Sequence, residues 1–264
     1  MSPSIFPRPL VYAHRGGAAL RPENTLAAFD HGLALGADGL EFDVHLSRDG
    51  VVVVHHDSVL ERTTNGRGPV AGLSAAELGA LDAGYTFVPE GADGFPYRGR
   101  GFGIPTLKAV VGRYPGVPFI IELKSGREEL ARRTVEVLQA GAAVDRVAVA
   151  SFYGSAVRKV RRLDPRIATG AAREEVRWAL YRSWIGWPLR ETAYQEFQVP
   201  ERSGRTTIVT PAFIRHAHRA GLPVKVWTVD EPAALDRLLN WGVDGVISDR
   251  PDLAVAAVRR CGNL

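Results

Sequence analysis

Two carboxylates and two histidines in the first quarter of the chain are the side chains best placed to do chemistry. Glu41 and Asp43 stand two apart in Gly39-Leu40-Glu41-Phe42-Asp43-Val44-His45, and the run Val51-Val52-Val53-Val54 leads into His55-His56-Asp57. Side chains alternate along a β-strand, so Glu41, Asp43 and His45 share one face and Leu40, Phe42 and Val44 the other. Two carboxylates side by side repel each other unless a cation or a proton lies between them, and hard oxygen ligands at this spacing suit Mg²⁺ or Ca²⁺. The turn Ser47-Arg48-Asp49-Gly50 carries an Asp-Gly hairpin signal. It folds a second strand back and returns His56 and Asp57 towards the carboxylates. On its own, Glu-x-Asp also describes the solvated face of an edge strand, so the rest of the chain decides between the two readings.

Two further strand ends carry charge. The apolar run Leu10-Val11-Tyr12-Ala13 stops at His14-Arg15-Gly16-Gly17, where the planar guanidinium of Arg15 suits phosphate geometry. The run 117–121 closes with Glu122-Leu123-Lys124; Glu122 and Lys124 share a face, and a charged pair ending an apolar strand is expected at the functional end of a barrel.

The elements that must hold these groups alternate along the chain. A helix from Asn24 or Thr25 to Gly36 follows strand one; the Glu41 stretch is strand two, with its hairpin partner at 51–57. Residues 58–104 break the rhythm with a short helix near 74–81 and a Gly/Pro-rich run, which reads as an insertion covering one end of the main domain. Helices are expected at 106–113, 128–140, 155–163, 211–220, 232–239 and 253–260. Strands are expected at 117–124, 146–152, 166–170, 195–199, 223–230 and 242–249. About eight strands, each with a helix, argue for an α/β fold of the (β/α)8 TIM-barrel type in one domain over residues 1–264. A doubly wound sheet is the runner-up, weakened by the lack of Gly-x-Gly-x-x-Gly after strand one. In a barrel the C-terminal strand ends converge, bringing together His14, Glu41, Asp43, His56, Glu122 and Lys124, with Trp227 late on strand seven. Alternation puts Lys225, Trp227 and Val229 on one face, with Trp227 either a pocket wall or a filler of the barrel core. The segment 176–197 crowds Trp178, Tyr181, Trp184, Trp187, Tyr194 and Phe197 among arginines. It reads as core or lid, with contact to a lipid surface as the other reading.

Composition narrows the class. The chain has 264 residues, 45% hydrophobic and 23% charged, with a net charge of +4. That permits one sizeable core and a modest attraction for anions. No basic run interleaved with aromatics suggests a nucleic-acid groove. The single cysteine, Cys261, excludes an internal disulfide. The first ten residues hold no apolar leader and no apolar run reaches membrane-span length, so a cytoplasmic protein without stable membrane insertion is expected; the oligomeric state stays open.

In His14-Arg15-Gly16, Pro22-Glu23-Asn24-Thr25, Glu41-Phe42-Asp43-Val44, Ser47-Arg48-Asp49-Gly50, His56-Asp57, Arg62-Thr63-Thr64, Pro105-Thr106-Leu107, Glu122-Leu123-Lys124, Val226-Trp227-Thr228-Val229 and Gly242-Val243-Asp244-Gly245, the sequence resembles the glycerophosphodiester phosphodiesterase family. The motifs fall in order over almost the whole chain. The resemblance implies a TIM barrel with a small inserted subdomain between the second and third barrel strands. It also implies a divalent metal (Mg²⁺ or Ca²⁺, with Mn²⁺ as a further choice) on Glu41, Asp43 and Glu122. It assigns the paired histidines to His14 and His56 and phosphate binding to Arg15 and Lys124. Ser47 stands where threonine is common and Asp230 where asparagine is common; neither touches the metal or the histidines. The implied reaction is hydrolysis of a glycerophosphodiester to sn-glycerol 3-phosphate and an alcohol, one histidine taking a proton and the other giving one. The attacking oxygen is either water or the neighbouring glycerol hydroxyl. Two other readings stand beside it. One is a lysophospholipase D or sphingomyelinase D-like lipid phosphodiesterase, which the aromatic segment would favour. The other is a non-catalytic metal-dependent binding protein, which a missing ligand would favour.

Overall fold

The alternation of strands and helices recurs in the computed structural model of the protein, which describes residues 9–262; the reading of residues 1–8 as lacking a leader lies outside them. The chain begins with β1 (Leu10–His14), α1 (Leu26–Ala34), and β2 (Gly39–Leu46) folded back on β3 (Val52–Val54). After a long connection holding α2 (Ala75–Gly79) come α3 (Leu107–Arg113), β4 (Phe119–Leu123), α4 (Glu128–Ala140), β5 (Val147–Ala150), α5 (Gly154–Leu163) and β6 (Ala168–Thr169). Then follow α6 (Arg173–Ile185), β7 (Phe197–Pro200), a small hairpin of β8 (Arg202–Ser203) and β9 (Thr206–Thr207), and α7 (Pro211–Arg219). The last elements are β10 (Val224–Trp227), α8 (Pro232–Trp241), β11 (Gly245–Ser248) and α9 (Pro251–Gly262).

Eight strands pair in parallel in the order β6-β5-β4-β2-β1-β11-β10-β7, and β3 joins β2 antiparallel. The two ends of that row meet. Gln195 N donates to Thr169 O and Ala171 N to Glu196 O, both at 3.0 Å, around a parallel bridge between Gly170 and Glu196. These bonds join β6 to β7 and close the sheet into a TIM barrel, which removes the exposed edges an open sheet would present.

Period-two alternation sorts the strand residues. Phe42, Val44, Phe119, Ile121, Leu123, Val149, Val224 and Val226 turn outward and join the apolar faces of the helices in one large cluster. Tyr12, Ile120 and Ile247 form a separate small cluster with Leu10 and Trp227 packed against it, the lining of the barrel lumen. Deep in the lumen the ammonium of Lys225 meets the Glu196 carboxylate at 2.6 Å, 4.7 Å from the Tyr12 ring centroid. A buried charge is tolerated there because its partner is held at contact distance. Helix starts obey local chemistry: Thr25, Thr106 and Thr210 each accept a backbone N–H with their hydroxyls at the caps of α1, α3 and α7. No helix among the described residues is long and apolar enough to cross a membrane.

Residues 58–104 connect β3 to α3. Val53, Leu60, Val70, Leu78, Ala83 and Ile104 gather there in a cluster apart from the main core. A Ser74–Glu77 capping box starts α2, and Arg48 of the β2–β3 turn binds Glu77 at 2.8 Å, tying this segment to the hairpin.

Three local readings need correction. Of 51–57 only Val52–Val54 is strand, because the chain leaves the ladder at His55, whose N–H still reaches Asp43 O at 3.0 Å. β10 ends at Trp227, and Val229 packs in the outer cluster, so it does not share the lumen face with Lys225 and Trp227. The core reading of the aromatic segment holds only for buried Tyr194 and Phe197; α6 buries just Ala179 and Leu180 and leaves Trp178 and Trp184 exposed, as is Trp187 beyond it. The β8–β9 hairpin was not expected, although Gly204 supplies the positive φ (57°) that its two-residue turn needs.

Candidate active site

Strand register builds the centre of the site. His14 pairs with Glu41 across β1 and β2, and Asp43 pairs with Glu122 across β2 and β4. One carboxylate oxygen from each of Glu41, Asp43 and Glu122 lies within 4.8 Å of the others. Burial, with Asp43 alongside, holds the Glu41 carboxyl well above the ordinary range; burial also raises Glu122, against the pull of the Lys124 ammonium. The cluster is thus short of positive charge, and its all-oxygen donor set suits a hard divalent cation. Asn24 supports that fit. Its backbone is left-handed (φ 58°), its Nδ2 donates to Asp43 Oδ2 at 3.1 Å, and its Oδ1 is buried beside the cluster with no hydrogen-bond partner.

Each nominated histidine is backed by a carboxylate. His14 Nδ1 donates to Asp249 Oδ1 at 2.6 Å, while its Nε2 lies 3.7 Å from Glu41 Oε2. Burial disfavours the charged ring, but Glu41 and Asp249 outweigh it and raise the His14 pKa to about 8. His56 Nδ1 donates to Asp57 Oδ1 at 2.6 Å, and Arg62 donates to Asp57 Oδ2 at 2.5 Å. Arg62 also makes a two-pronged contact with Glu23, at 2.7 and 2.8 Å, and Glu23 in turn accepts from Arg15 Nη1 at 2.9 Å. The chain Arg15–Glu23–Arg62–Asp57–His56 explains why the Pro-Glu-Asn-Thr and Arg-Thr-Thr stretches accompany the histidines. Partial burial would raise the Glu23 carboxyl, but its two arginines outweigh it and hold the group down to about 2.

His55, just past the end of β3, turns away from the cavity that His56 lines; it is buried, with Nε2 to Val59 O at 3.1 Å. His45 Nε2 reaches His56 O at 3.0 Å and so steadies the backbone that carries His56. His31 lies in the last turn of α1.

Arg15 and Lys124 flank the acidic cluster. Arg15 Nε and Lys124 Nζ each come within 3.4 Å of an Asp43 oxygen, and Lys124 also donates to Glu122 Oε1 at 3.1 Å. Above them opens a cavity of about 700 Å³. Of the eight nominated residues, His14, Arg15, Glu41, His56, Glu122, Lys124 and Trp227 line it, and Asp43 lies buried beneath. Trp227 meets Phe152 edge to face, with ring centroids 5.9 Å apart. The opposite wall comes from α6 (Val176, Leu180, Tyr181, Trp184) and the β8–β9 hairpin.

Sequence reasoning missed Asp249 and the Glu23–Arg62 link, and gave segment 176–197 only as core or lid without singling out the side chains that form the α6 wall. Asp249 had a usable signal, since it lies two residues beyond lumen-facing Ile247 at the end of the last strand. Arg62 and Glu23 are 39 positions apart, and nothing in the sequence joins them.

The sequence and the fold are similar to those of known proteins. The model of the glycerophosphoryl diester phosphodiesterase family matches residues 14–253. A glycerophosphodiester phosphodiesterase of Caldanaerobacter subterraneus subsp. tengcongensis is 33% identical over 262 residues, covering 96% of this chain and 99% of that protein. The glycerophosphoryl diester phosphodiesterase domain of the uncharacterized protein Rv2277c from Mycobacterium tuberculosis superposes with a TM-score of 0.85 at 25% identity, covering 96% of this chain and 99% of that one. An Oleispira antarctica phosphodiesterase, solved in complex with the product sn-glycerol-3-phosphate, superposes at 0.76 with 29% identity, covering 96% and 97%. With a barrel of this topology and a match over nearly its whole length, the chain belongs to the glycerophosphoryl diester phosphodiesterase family and is an enzyme of that kind.

Proposed function

We propose that this chain hydrolyses glycerophosphodiesters to sn-glycerol 3-phosphate and an alcohol, with a divalent metal held by Glu41, Asp43 and Glu122. The supporting observation is one arrangement: two carboxylate-backed histidines facing a single cavity, with the acidic cluster, Arg15 and Lys124 at its floor. The activity for which the Caldanaerobacter relative is named and the product bound to the Oleispira neighbour point the same way.

A phosphodiester is an anion that resists nucleophiles, and charge grows on its oxygens as the attacking group arrives. Arg15 and Lys124 offset that charge, Arg15 with a planar donor fork and Lys124 as a point charge. Mg²⁺ or Ca²⁺, with Mn²⁺ as a further choice, would add Lewis-acid polarisation of the phosphoryl oxygen when bound. One of His14 and His56 takes the proton of the attacking oxygen at Nε2, and the other gives one to the leaving alkoxide. Asp249 and Asp57 keep the Nδ1 protons in place, so that each ring presents Nε2 to the cavity. Trp227, braced by Phe152, is the wall against which the alcohol portion lies. The whole chain acts as one barrel domain with an insertion at about 58–104, at work in the cytoplasm.

A panel of water-soluble glycerophosphodiesters tests the reading. Each should yield sn-glycerol 3-phosphate plus its own alcohol; release of free glycerol and a phosphorylated headgroup would mean that the other ester bond is cut.

A further inference from the structure

α6 presents an aromatic ridge to solvent. Trp178, Tyr181 and Trp184 lie on one helical face at spacings of three residues; their rings touch in sequence, with centroids 6.3 and 5.3 Å apart. Trp178 is 64% exposed and Trp184 62%; Ile185 (74%), the last residue of the helix, and Trp187 (61%), just beyond it, are exposed as well. So much clustered indole in water is costly unless something covers it. The surroundings are cationic. Arg173 and Arg177 of α6 and Arg202 of the β8–β9 hairpin are exposed at the cavity rim, and none of them forms an ion pair among the described residues. The acidic residues of α6 are already engaged, Glu174 by Arg158 and Glu175 by Arg161.

We propose that this ridge docks the protein on an anionic phospholipid surface, with the mouth of the cavity turned towards the headgroups. Indole and phenol rings combine an apolar body with a polar tip, which suits the boundary between headgroups and acyl chains; unpaired arginines beside them complement lipid phosphates. The ridge is also continuous with the site, because Tyr181 and Trp184 belong both to it and to the cavity wall. A row of protruding rings with flanking cations suits a fluid interface, whereas a protein partner would need matching relief. The docking makes no use of the metal cluster or the histidines, so it stands or falls apart from the hydrolytic reading.

The test is co-sedimentation of the full chain with vesicles of phosphatidylglycerol and phosphatidylcholine, set against phosphatidylcholine alone. The chain should pellet with the anionic vesicles and less so as salt rises, and brominated acyl chains should quench its tryptophan fluorescence. Trp178 and Trp187 do not line the cavity. The double variant Trp178→Ala/Trp187→Ala should lose about tenfold or more in vesicle affinity while hydrolysing glycerophosphocholine at the wild-type rate. Three results would overturn the proposal: wild-type protein left in the supernatant with anionic vesicles, unquenched tryptophans in the pelleted protein, or a dimer in sedimentation equilibrium that the double variant abolishes. The last would assign the ridge to a second copy of the chain.

Discussion

His14→Ala and His56→Ala should each lower kcat by about a hundredfold or more, the scale of losing an acid–base partner, while His55→Ala should spare kcat and lower the melting temperature. Steady-state kinetics beside thermal melts checks this, and equal catalytic loss from His55→Ala and His56→Ala would contradict the geometry, since only His56 faces the cavity. Glu23 invites a pH measurement. Its carboxyl falls from 4.5 to about 2 on folding, so its contribution is fully present above pH 4.5 and is lost as pH falls towards 2. That contribution is on the order of 3 kcal/mol. Glu23→Gln should therefore be clearly less stable than wild type at pH 6, with the gap narrowing on acidification; a gap that stays constant to pH 2 would mean the arginine pair does not depress this group. At this scale the sequence was highly legible where alternation or a motif applied. Glu41, Asp43 and Glu122 meet because a strand's period leaves little choice, whereas His55 and His56 part just past the end of β3. Contacts such as Arg62 to Glu23 depend on how two loops close, which no local pattern encodes.

The elements position the chemistry through register. β2 lies between β1 and β4, and one step of slip would turn Glu41 and Asp43 outward into the helix layer. Phe42 is the counterweight, fully buried with ring centroids 5.4 Å from both Phe29 and Phe119. Phe42→Ala should cost about 3–5 kcal/mol in chemical denaturation; a loss under about 1 kcal/mol would remove Phe42 from the account of how β2 is held. α6 differs, because its outer side chains support little structure. Tyr181→Ala should shift KM or headgroup preference and leave unfolding free energy within about 0.5 kcal/mol of wild type. A large stability loss with unchanged KM would make Tyr181 a packing residue. Most helices and strands were legible from periodicity and caps, though strand ends came out too long because apolar runs continue past the last ladder bond. Of the core-or-lid reading of the aromatic segment, the core half fails for α6 because Trp178 and Trp184 are exposed, while the α6 side chains that line the cavity accord with the lid half.

Across the whole molecule, closure of β6 onto β7 makes the site, since it brings the ends of eight strands around one lumen. The count of about eight strand–helix units made the barrel legible, whereas the pairing of β1 with β11 is a contact over the full chain length that only closure explains. The barrel supplies charge of both signs at one end, Arg15 and Lys124 against three carboxylates, and leaves the acidic cluster to be balanced by a cation. Metal dependence is therefore the central claim. The most direct measurement is the rate of sn-glycerol 3-phosphate release from glycerophosphocholine by chelator-stripped protein, before and after graded addition of Mg²⁺, Ca²⁺ or Mn²⁺, with Glu41→Gln and Glu122→Gln in parallel. Stripped wild-type protein should be inactive, recover with the metal, and bind it in calorimetry, while both variants should bind it at least about tenfold more weakly. Full turnover by the stripped protein, or metal binding that both variants retain, would contradict it.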